Sequence, residues 1–394
     1  MPKVDFSNYK GREQAYVKHC LLEGYLPDWA YKVGSTWDSL VYVDAFAGPW
    51  QTTHPNYADS SFGIAVDALR RCQVGLQQSR GRNLHMECIL VEQDENAFAH
   101  LERFANAESL SNFKVHALPG NFAKQTSKIN QLIKDSGRNP FRFVFLDPKG
   151  WADIPMDKLQ PLLRHRSSEV LINLMTKHLN RFLGQPDRES SYRQLFGRPG
   201  VVEILRNAPP AERVERAVRE YSASLKLLCN FKYVSSAVIM EPDEEAVRYY
   251  LVYATNHPRG VEVFKAAENK AARIQDDVRH ESRIKKAGGQ LEFFANNGPP
   301  KSRLILELLN RYQEMARNNV LRILRRSHAA TGVDYADLFC EAMTFPLVTP
   351  DDLVRWLRAL EPNIEIRQGA VLSKKKPKPA EDYCVVVLNP KLLE

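Results

Sequence analysis

Short apolar runs alternate with amphipathic segments from the N-terminus to about residue 260. The runs are rich in Val, Ile, Leu and Phe and stop at a polar or turn-forming residue, as buried strands do, whereas the intervening segments carry apolar residues at helical spacing. This alternation predicts an α/β fold, with a mainly parallel sheet covered by helices on both faces. The predicted strands cover about 40–44, 86–91, 114–118, 141–146, 169–174, 233–239 and 247–254.

The pattern changes after a Gly-Pro-Pro stretch at 298–300. Three amphipathic helices and two strands follow, and a basic, proline-containing tip lies between the two strands. Helices followed by a β-hairpin indicate a winged-helix-like unit. The predicted elements are helices near 304–309, 338–343 and 349–360 and strands at 364–366 and 383–388.

These patterns predict an α/β domain over 1–262, a helical linker over 263–299 and a winged-helix-like domain over 300–394. In a winged helix that binds nucleic acid, the helix before the hairpin enters a groove while the wing contacts phosphates. Asp351 and Asp352 place negative charge on that helix, which leaves a protein-binding winged helix as the alternative. The candidate nucleic-acid-binding residues are the lysines of the tip, Lys374, Lys375, Lys376 and Lys378.

The formal net charge of +8 is modest for a chain of 394 residues, but basic residues cluster near 80–82, 265–286, 322–326 and 374–378. Each cluster alone is typical of a solvated surface, whereas the four together make nucleic acid the leading macromolecular partner. No apolar run approaches the roughly 20 residues that cross a bilayer, and the N-terminus lacks a signal-peptide pattern. We therefore expect a cytoplasmic protein with no membrane partner. Its six cysteines are scattered, and we expect them to be reduced and to fill core positions.

A polar residue lies at or near the end of each of the first five predicted strands. Because the carboxyl ends of parallel strands form one rim of a sheet, and open α/β sheets bind ligands there, we expect these residues to share a site. A carboxylate such as Glu92 can accept both hydroxyls of a ribose, and an amide such as Asn121 can pair with an adenine ring. The alternative for each residue is local, namely capping of the helix that follows its strand. The five residues are Asp44, Glu92, Asn121, Asp147 and Asn173.

Four of these strand ends lie in segments that resemble a known family. The segments are VDAFAGPW at 43–50, ILVEQDENAFAHL at 89–101, LPGNF at 118–122 and RFVFLDPKGW at 142–151. They resemble the successive motifs of class I S-adenosylmethionine-dependent methyltransferases, which implies a Rossmann-like methyltransferase sheet. With KHCLLEGYLPDW at 18–29 and ATNHPRGVEVFK at 254–265, the chain is similar more narrowly to the three-Cys-motif partner protein family, TcmP. The likeness covers most of the chain and also implies the C-terminal winged helix.

This resemblance implies S-adenosylmethionine as the cofactor, no bound metal and a separate partner protein that carries the three-Cys motif. It places Asp147, Pro148 and Trp151 at the methyl acceptor, where Asp147 would orient or deprotonate it and Trp151 would stack on a flat base. Local alternatives are a turn-capping role for Asp147 and a core position for Trp151. The residues that the resemblance implies for the cofactor are Lys18, Asp44, Phe46, Ala47, Gly48, Pro49, Glu92, Gln93, Asn121 and Phe122.

The sequence departs from the family pattern in two ways. Trp50 stands where a second glycine is usual, and its indole could close over the methionine end of the cofactor or block its place. Asp147, Pro148 and Trp151 correspond to the acidic or amide residue, the prolines and the aromatic residue of amino-group methyltransferases, but with altered spacing.

The leading hypothesis is an S-adenosylmethionine-dependent methyltransferase that acts on nucleic acid or a nucleic-acid-associated substrate, alone or with a partner protein. The main alternative is a non-catalytic nucleotide-binding partner or docking protein that uses the same crevice. A metal-dependent nuclease built on Asp44, Glu92 and Asp147 ranks last, because the three carboxylates follow separate strands and no histidine accompanies them.

Overall fold

A seven-stranded sheet forms the centre of the α/β part of the chain. The computed structural model describes residues 6–9, 11–48, 52, 54, 56–177, 183, 185–286, 302–327, 332–360, 364–367 and 385–388. The strands of this sheet are β1 (Ser39–Asp44), β2 (His85–Glu92), β3 (Phe113–Pro119), β4 (Phe141–Leu146), β5 (Ser168–Leu174), β6 (Tyr233–Met240) and β7 (Val247–Thr255). All seven strands predicted from the sequence are confirmed.

The strand order is β3-β2-β1-β4-β5-β7-β6. Strands β1 to β5 pair in parallel, whereas β7 runs antiparallel to both β5 and β6. This order and the reversed β7 are those of the Rossmann-like class I methyltransferase sheet, so the predicted fold class is confirmed. Strands β2 and β3 lie on one side of β1, and β4 and β5 lie on the other. The strand order therefore reverses between β1 and β4, and open α/β sheets bind ligands at such a point.

Nine α-helices flank this sheet within the described residues. They are α1 (Glu13–Gly34), α2 (Ser61–Arg80), α3 (Glu95–Glu108), α4 (Phe122–Asp135), α5 (Met156–Leu163), α6 (Pro186–Phe196), α7 (Val201–Asn207), α8 (Arg213–Cys229) and α9 (Pro258–Lys286). Short 3-10 turns lie at Phe6–Tyr9 and Trp151–Asp153. The segment from α6 to α8 was not anticipated from the sequence.

The two faces of the sheet are covered by different helices. Alternate residues of β1 point to opposite faces, because side chains of a strand alternate. Leu40 and Tyr42 pack with α1, α2, α3 and α9, and Val41 and Val43 pack with α4, α5 and α6 to α8. The cysteines expected in core positions are buried and free at all five described sites, and Cys384 lies outside the described residues.

Gly260 allows α9 to begin close to the sheet. A Cβ at this position would lie 2.5 Å from the Tyr253 hydroxyl, 2.7 Å from Thr255 Oγ1 and 2.8 Å from Glu169 Oε1. Glu169 is buried and accepts a hydrogen bond from Thr255 Oγ1 at 2.8 Å and from Tyr25 at 2.5 Å. The Asn-His-Pro-Arg-Gly turn therefore needs its glycine for packing against this buried polar cluster.

The C-terminal part packs on the face that α8 covers. It contains α10 (Arg303–Arg326), β8 (Val333–Asp334), α11 (Tyr335–Ala342), α12 (Pro350–Ala359), β9 (Ile364–Arg367) and β10 (Val385–Leu388). The predicted pairing of the last two strands is confirmed, and β8 adds to β10. The winged-helix assignment and the division into three parts stay predictions, and the four tip lysines lie outside the described residues.

Polar contacts fix the C-terminal part to the sheet. Lys226 Nζ lies 2.9 Å from Glu341 Oε1, and the Tyr250 and Tyr312 hydroxyls are 2.7 Å apart. Lys265 of α9 is fully buried and donates to the Phe345 carbonyl at 3.0 Å, so it adds no charge to the surface. Within the described ranges, no helix combines the length and the apolar character needed to cross a membrane.

Candidate functional site

A cleft of about 280 Å³ lies past the carboxyl ends of β1 to β5. Residues that follow each of the five strands line it, and α1 contributes side chains from one side. Glu92, Asn121, Asp147 and Asn173 are four of the five strand-end residues, and all four line the cleft. The predicted site residues that line it are Lys18, Phe46, Gly48, Glu92, Gln93, Asn121, Phe122, Asp147 and Pro148.

Asp44, the fifth strand-end residue, lies fully buried behind this lining. Its Oδ1 accepts from the Phe46 amide at 3.1 Å and its Oδ2 accepts from Ser61 Oγ at 2.6 Å. Burial raises the pKa of Asp44 to about 7, although the two hydrogen bonds oppose the shift. The Ala47 amide donates to the Val91 carbonyl at 2.8 Å. Asp44 and Ala47 therefore shape the turn after β1, which presents Phe46 and Gly48 to the cleft.

Glu92 faces the cleft at the end of β2. Its side chain is 4% exposed, and Oε1 accepts from the Asp94 amide at 2.7 Å. At the end of β3, Gly120 has φ +105° and donates its amide to the Glu92 carbonyl at 2.7 Å. This backbone conformation favours glycine and places the next residue, Asn121, beside Glu92 along the rim.

The capping alternative holds for one of the strand-end residues. Asn121 Oδ1 accepts from the Ala123 amide at 2.8 Å and caps α4. The cap of α2 is Ser60, sixteen residues beyond Asp44, and the cap of α3 is Asp94, two residues beyond Glu92. Capping therefore does not explain the carboxylates that end β1 and β2.

Asp147 has partners from two directions. Lys18 of α1 forms an ion pair with Oδ2, and Asn173 Nδ2 donates to Oδ1 at 2.7 Å. Burial would raise the pKa of Asp147, but the Lys18 ammonium and the Asn173 amide outweigh burial and lower it below its usual value. Asn173 Oδ1 is itself buried without a hydrogen-bond partner in the described part of the chain. The site thus holds an ionised carboxylate and an amide oxygen that lacks a donor.

His19 and Tyr9 anchor α1 at the cleft. His19 is buried, and its Nδ1 lies 2.8 Å from the Tyr9 hydroxyl. Burial and the neighbouring Lys18 lower the pKa of His19 to about 3, so its ring is neutral near pH 7. A neutral ring leaves the Lys18 ammonium as the positive charge that this turn of α1 offers to Asp147.

Trp151 does not lie among the described residues that line the cleft. Its ring stacks on Tyr192 of α6, with centroids 5.0 Å apart and planes at 16°, and it packs against the core. This position matches the core alternative for Trp151. Pro49 and Trp50 lie outside the described residues.

Further lining residues were not anticipated from the sequence. Ser61, Lys149, Arg248 and Tyr249 all line the cleft, and Arg248 forms a 2.7 Å ion pair with Glu241. Arg248 and Tyr249 lie in the antiparallel strand β7, whose direction no local pattern reveals. In the described ranges, no group of three or more His, Cys, Asp or Glu residues is arranged to hold a metal ion.

No protein-family model and no curated protein matches the chain. Solved structures to which it is similar include the O-methyltransferase from Bacillus cereus in complex with SAH, with 13% identity, a TM-score of 0.31, and coverage of 59% of this chain and 80% of that chain. TomG, an O-methyltransferase from Streptomyces achromogenes in complex with SAM, has 14% identity, a TM-score of 0.31, and coverage of 60% and 79%. Protein LPL1258 from Legionella pneumophila has 11% identity, a TM-score of 0.35, and coverage of 66% and 90%. The fold class of this chain rests on its own strand order.

Proposed function

We propose that this chain is an S-adenosylmethionine-dependent methyltransferase whose cofactor occupies the cleft at the carboxyl ends of β1 to β5. The position of Glu92 carries the proposal. Its carboxylate is nearly buried and faces the cleft at the end of β2, the strand next to β1. The Asp94 amide donates a hydrogen bond to Oε1 and holds the carboxylate in place. Oε2 is left to accept hydrogen bonds from the hydroxyls of a ribose.

The other residues along this rim fit the rest of an adenosyl group. The cap of α4 uses Asn121 Oδ1, so Nδ2 is the group that can donate to an adenine ring nitrogen. Gly48 and Gly120 line the cleft without side chains, which lets a ligand approach the backbone. Phe46 and Phe122 line it as well and supply apolar contact for a base.

When bound, S-adenosylmethionine supplies an activated methyl group on a sulfonium whose departure leaves a neutral thioether. The chain's own task is to hold the acceptor and to exclude water. Asp147 is suited to orienting an acceptor by accepting a hydrogen bond, because its lowered pKa makes it a weak proton acceptor. Asn173 Oδ1, which lacks a donor, is placed to accept a second N–H or O–H from the same acceptor.

We further propose that the acceptor belongs to nucleic acid or to a nucleic-acid-associated substrate. The net charge of +8 and the clustered basic residues support a polyanionic partner. The six quoted motifs support membership of the TcmP family, and with it the winged helix, the partner protein and a cytoplasmic location. These finer assignments rest on the sequence.

The test separates binding from transfer with paired variants of the full chain. Glu92→Ala should lower the affinity for S-adenosylmethionine by roughly tenfold or more, because a charge-assisted hydrogen bond is lost. Asp147→Asn should leave cofactor affinity within about twofold and lower methyl transfer to oligonucleotides by roughly a hundredfold, as loss of a positioning group does. Glu102→Ala, an exposed carboxylate of α3, is the control and should change neither quantity. Equal effects of the first two variants would show that their roles are wrongly assigned.

A second candidate is a non-catalytic nucleotide-binding or docking protein. The observation in its favour is the ion pair that Asp147 forms with Lys18, since a carboxylate held in this way is less available to an acceptor. Cofactor binding by the wild type without transfer to any nucleic acid or partner protein would support this candidate and contradict the enzyme.

A further inference from the structure

A second cavity lies at the opposite end of the sheet from the cleft. Phe141 and Ser168, the first residues of β4 and β5, line it together with Thr255, the last residue of the antiparallel β7. Its volume is about 660 Å³, which lies in the range of roughly 300–1,000 Å³ that small-molecule sites occupy. Because this cavity lies where β4 and β5 begin and the cleft lies where they end, the two are separated by the length of the strands.

The lining of the second cavity is basic. Arg164, Arg166 and Lys232 line it with two histidines, and the described lining contains no Asp or Glu. Lys232 pairs with Asp337 at 2.8 Å. The guanidinium groups of Arg164 and Arg166 are exposed and form no hydrogen bond or ion pair with the described part of the chain. Two arginines beside one cavity without a carboxylate provide a site for an anion.

The histidines of the cavity add hydrogen-bond donors. His165 Nδ1 accepts from the Ser167 amide at 3.2 Å, and His257 Nδ1 accepts from the Arg259 amide at 3.2 Å. Burial lowers the pKa of both rings, helped by Arg142 at His165 and by Arg259 at His257. In a neutral ring with Nδ1 as acceptor, Nε2 carries the proton, so each histidine offers one N–H donor.

Asn256 holds the two basic segments in fixed positions. Its Oδ1 accepts from the Lys232 amide at 2.9 Å, and its Nδ2 donates to the Arg166 carbonyl at 3.3 Å. One side chain thus joins the turn before β5 to the start of β6. A site whose segments are tied together in the absence of ligand loses less entropy on binding.

Aromatic side chains form another part of the wall. Trp37 is half-buried and meets Phe141 edge-on, with ring centroids 5.0 Å apart and planes at 82°. An anion alone needs no aromatic wall, whereas a planar base beside a phosphate does. We propose that the second cavity binds a nucleotide, with its phosphate on Arg164 and Arg166 and its base against the aromatic wall. The nucleotide is either free or a unit of a single-stranded nucleic acid.

The experiment measures binding of uridine compounds to the full chain by calorimetry, since an adenine could also enter the cleft at Glu92. UMP should bind roughly tenfold or more tightly than uridine or inorganic phosphate, because the site contacts both the phosphate and the base. Arg164→Ala/Arg166→Ala should lower the affinity for UMP by roughly tenfold or more. Arg164→Lys/Arg166→Lys should retain part of that affinity, because lysine keeps the charge but not the guanidinium geometry.

Lys128→Ala/Lys134→Ala is the matched control, because it removes two exposed positive charges from α4 and has the same net charge. It should leave UMP affinity within about twofold, since neither lysine lines the second cavity. Equal loss in both double variants, equal binding of UMP and inorganic phosphate, or no binding of UMP or a uridine octanucleotide at millimolar concentration would overturn the proposal. Tighter binding of the octanucleotide than of UMP identifies a nucleic acid as the source, and equal binding identifies a free nucleotide.

Discussion

Asp147 and Lys18 form an ion pair that joins α1 to the end of β4. The two residues are 129 positions apart in the chain, and both side chains are largely shielded from water. Removing one member of such a pair leaves the other charge in a poorly solvated place. The charge state of Asp147 therefore depends on a residue that lies far away in the sequence.

Lys18→Met tests this dependence. Because the folded-state pKa of Asp147 is lowered, the ionised carboxylate contributes stability above its unfolded pKa, and that contribution is lost as the pH falls through the folded value. We expect the variant to lose about 3 kcal/mol of unfolding free energy at pH 7, the low end for a broken buried pair, because Asp147 is partly exposed. The loss should shrink toward pH 4, where Asp147 can protonate in the variant.

Urea unfolding at several pH values measures this loss, with Lys124→Met on the exposed side of α4 as the control. A loss that does not change with pH would contradict the assigned ion pair.

Glu87 provides a second residue with a measurable pH signature. It is buried between His85, at 2.8 Å, and His116, at 3.0 Å. Burial would raise its pKa, but hydrogen bonds from the two imidazoles outweigh burial and lower it from 4.5 to about 2. The ionised side chain therefore stabilises the fold above pH 4.5, and this stabilisation is lost as the pH falls toward about 2.

Glu87→Gln should destabilise the fold at pH 7 by at most about 3 kcal/mol, since a pKa change of one unit corresponds to about 1.36 kcal/mol. The difference between the wild type and the variant should shrink below pH 4.5 and nearly vanish at about pH 2. Chemical denaturation across this pH range tests the expectation, and a constant difference down to pH 2 would refute it.

At the level of single residues, the sequence predicts where a site residue lies along the sheet better than it predicts which side chains that residue contacts. Glu92 and Asp147 can be placed on the rim because each ends an apolar run, and parallel strands end together. The contacts of Lys18 with Asp147 and of Ser61 with Asp44 depend on how α1 and α2 pack on the sheet. No local pattern contains that information.

At the level of elements, α9 connects the sheet with the C-terminal part through a buried pair. Lys265 and Glu268 lie one turn apart, and both are buried. Lys265 donates to the Phe345 carbonyl at 3.0 Å, and Glu268 accepts from the Leu347 amide at 2.8 Å. The pair thus fixes the loop that follows α11.

Lys265→Met should cost about 3–5 kcal/mol of unfolding free energy, because Glu268 is left buried without its counter-charge. The double variant Lys265→Met/Glu268→Leu should recover most of this loss, since no buried charge remains. Urea unfolding of the three proteins measures both effects. A double variant as unstable as the single variant would show that the pair acts through its backbone contacts alone.

Elements with strong periodicity are predictable from the sequence, and the remainder are not. Strand β4 matches its predicted range at both ends, because Phe141–Leu146 is apolar except for Arg142. Helix α6 contains few apolar residues, and its buried Tyr192, Leu195 and Phe196 lie near its end. Helix α8 has Val218, Tyr221 and Leu225 at helical spacing, which is a periodic signal in the sequence. The reversed direction of β7 follows from sheet pairing and has no local signal.

At the level of the whole molecule, two cavities lie at opposite ends of the same strands. The cleft at the carboxyl ends carries Glu92 and Asp147, and the second cavity carries Arg164 and Arg166. Because the two sets of side chains do not overlap, variants at one site should leave binding at the other unchanged. This independence lets the methyltransferase proposal and the nucleotide proposal fail separately.

The most direct test of the central claim is a calorimetric titration of the full chain with S-adenosylmethionine and with S-adenosylhomocysteine. We predict binding of both at one site, weakened by roughly tenfold or more in Glu92→Ala and unchanged in Arg164→Ala/Arg166→Ala. Absence of binding of both compounds at millimolar concentration would contradict the account, as would equal affinity in the wild type and in Glu92→Ala.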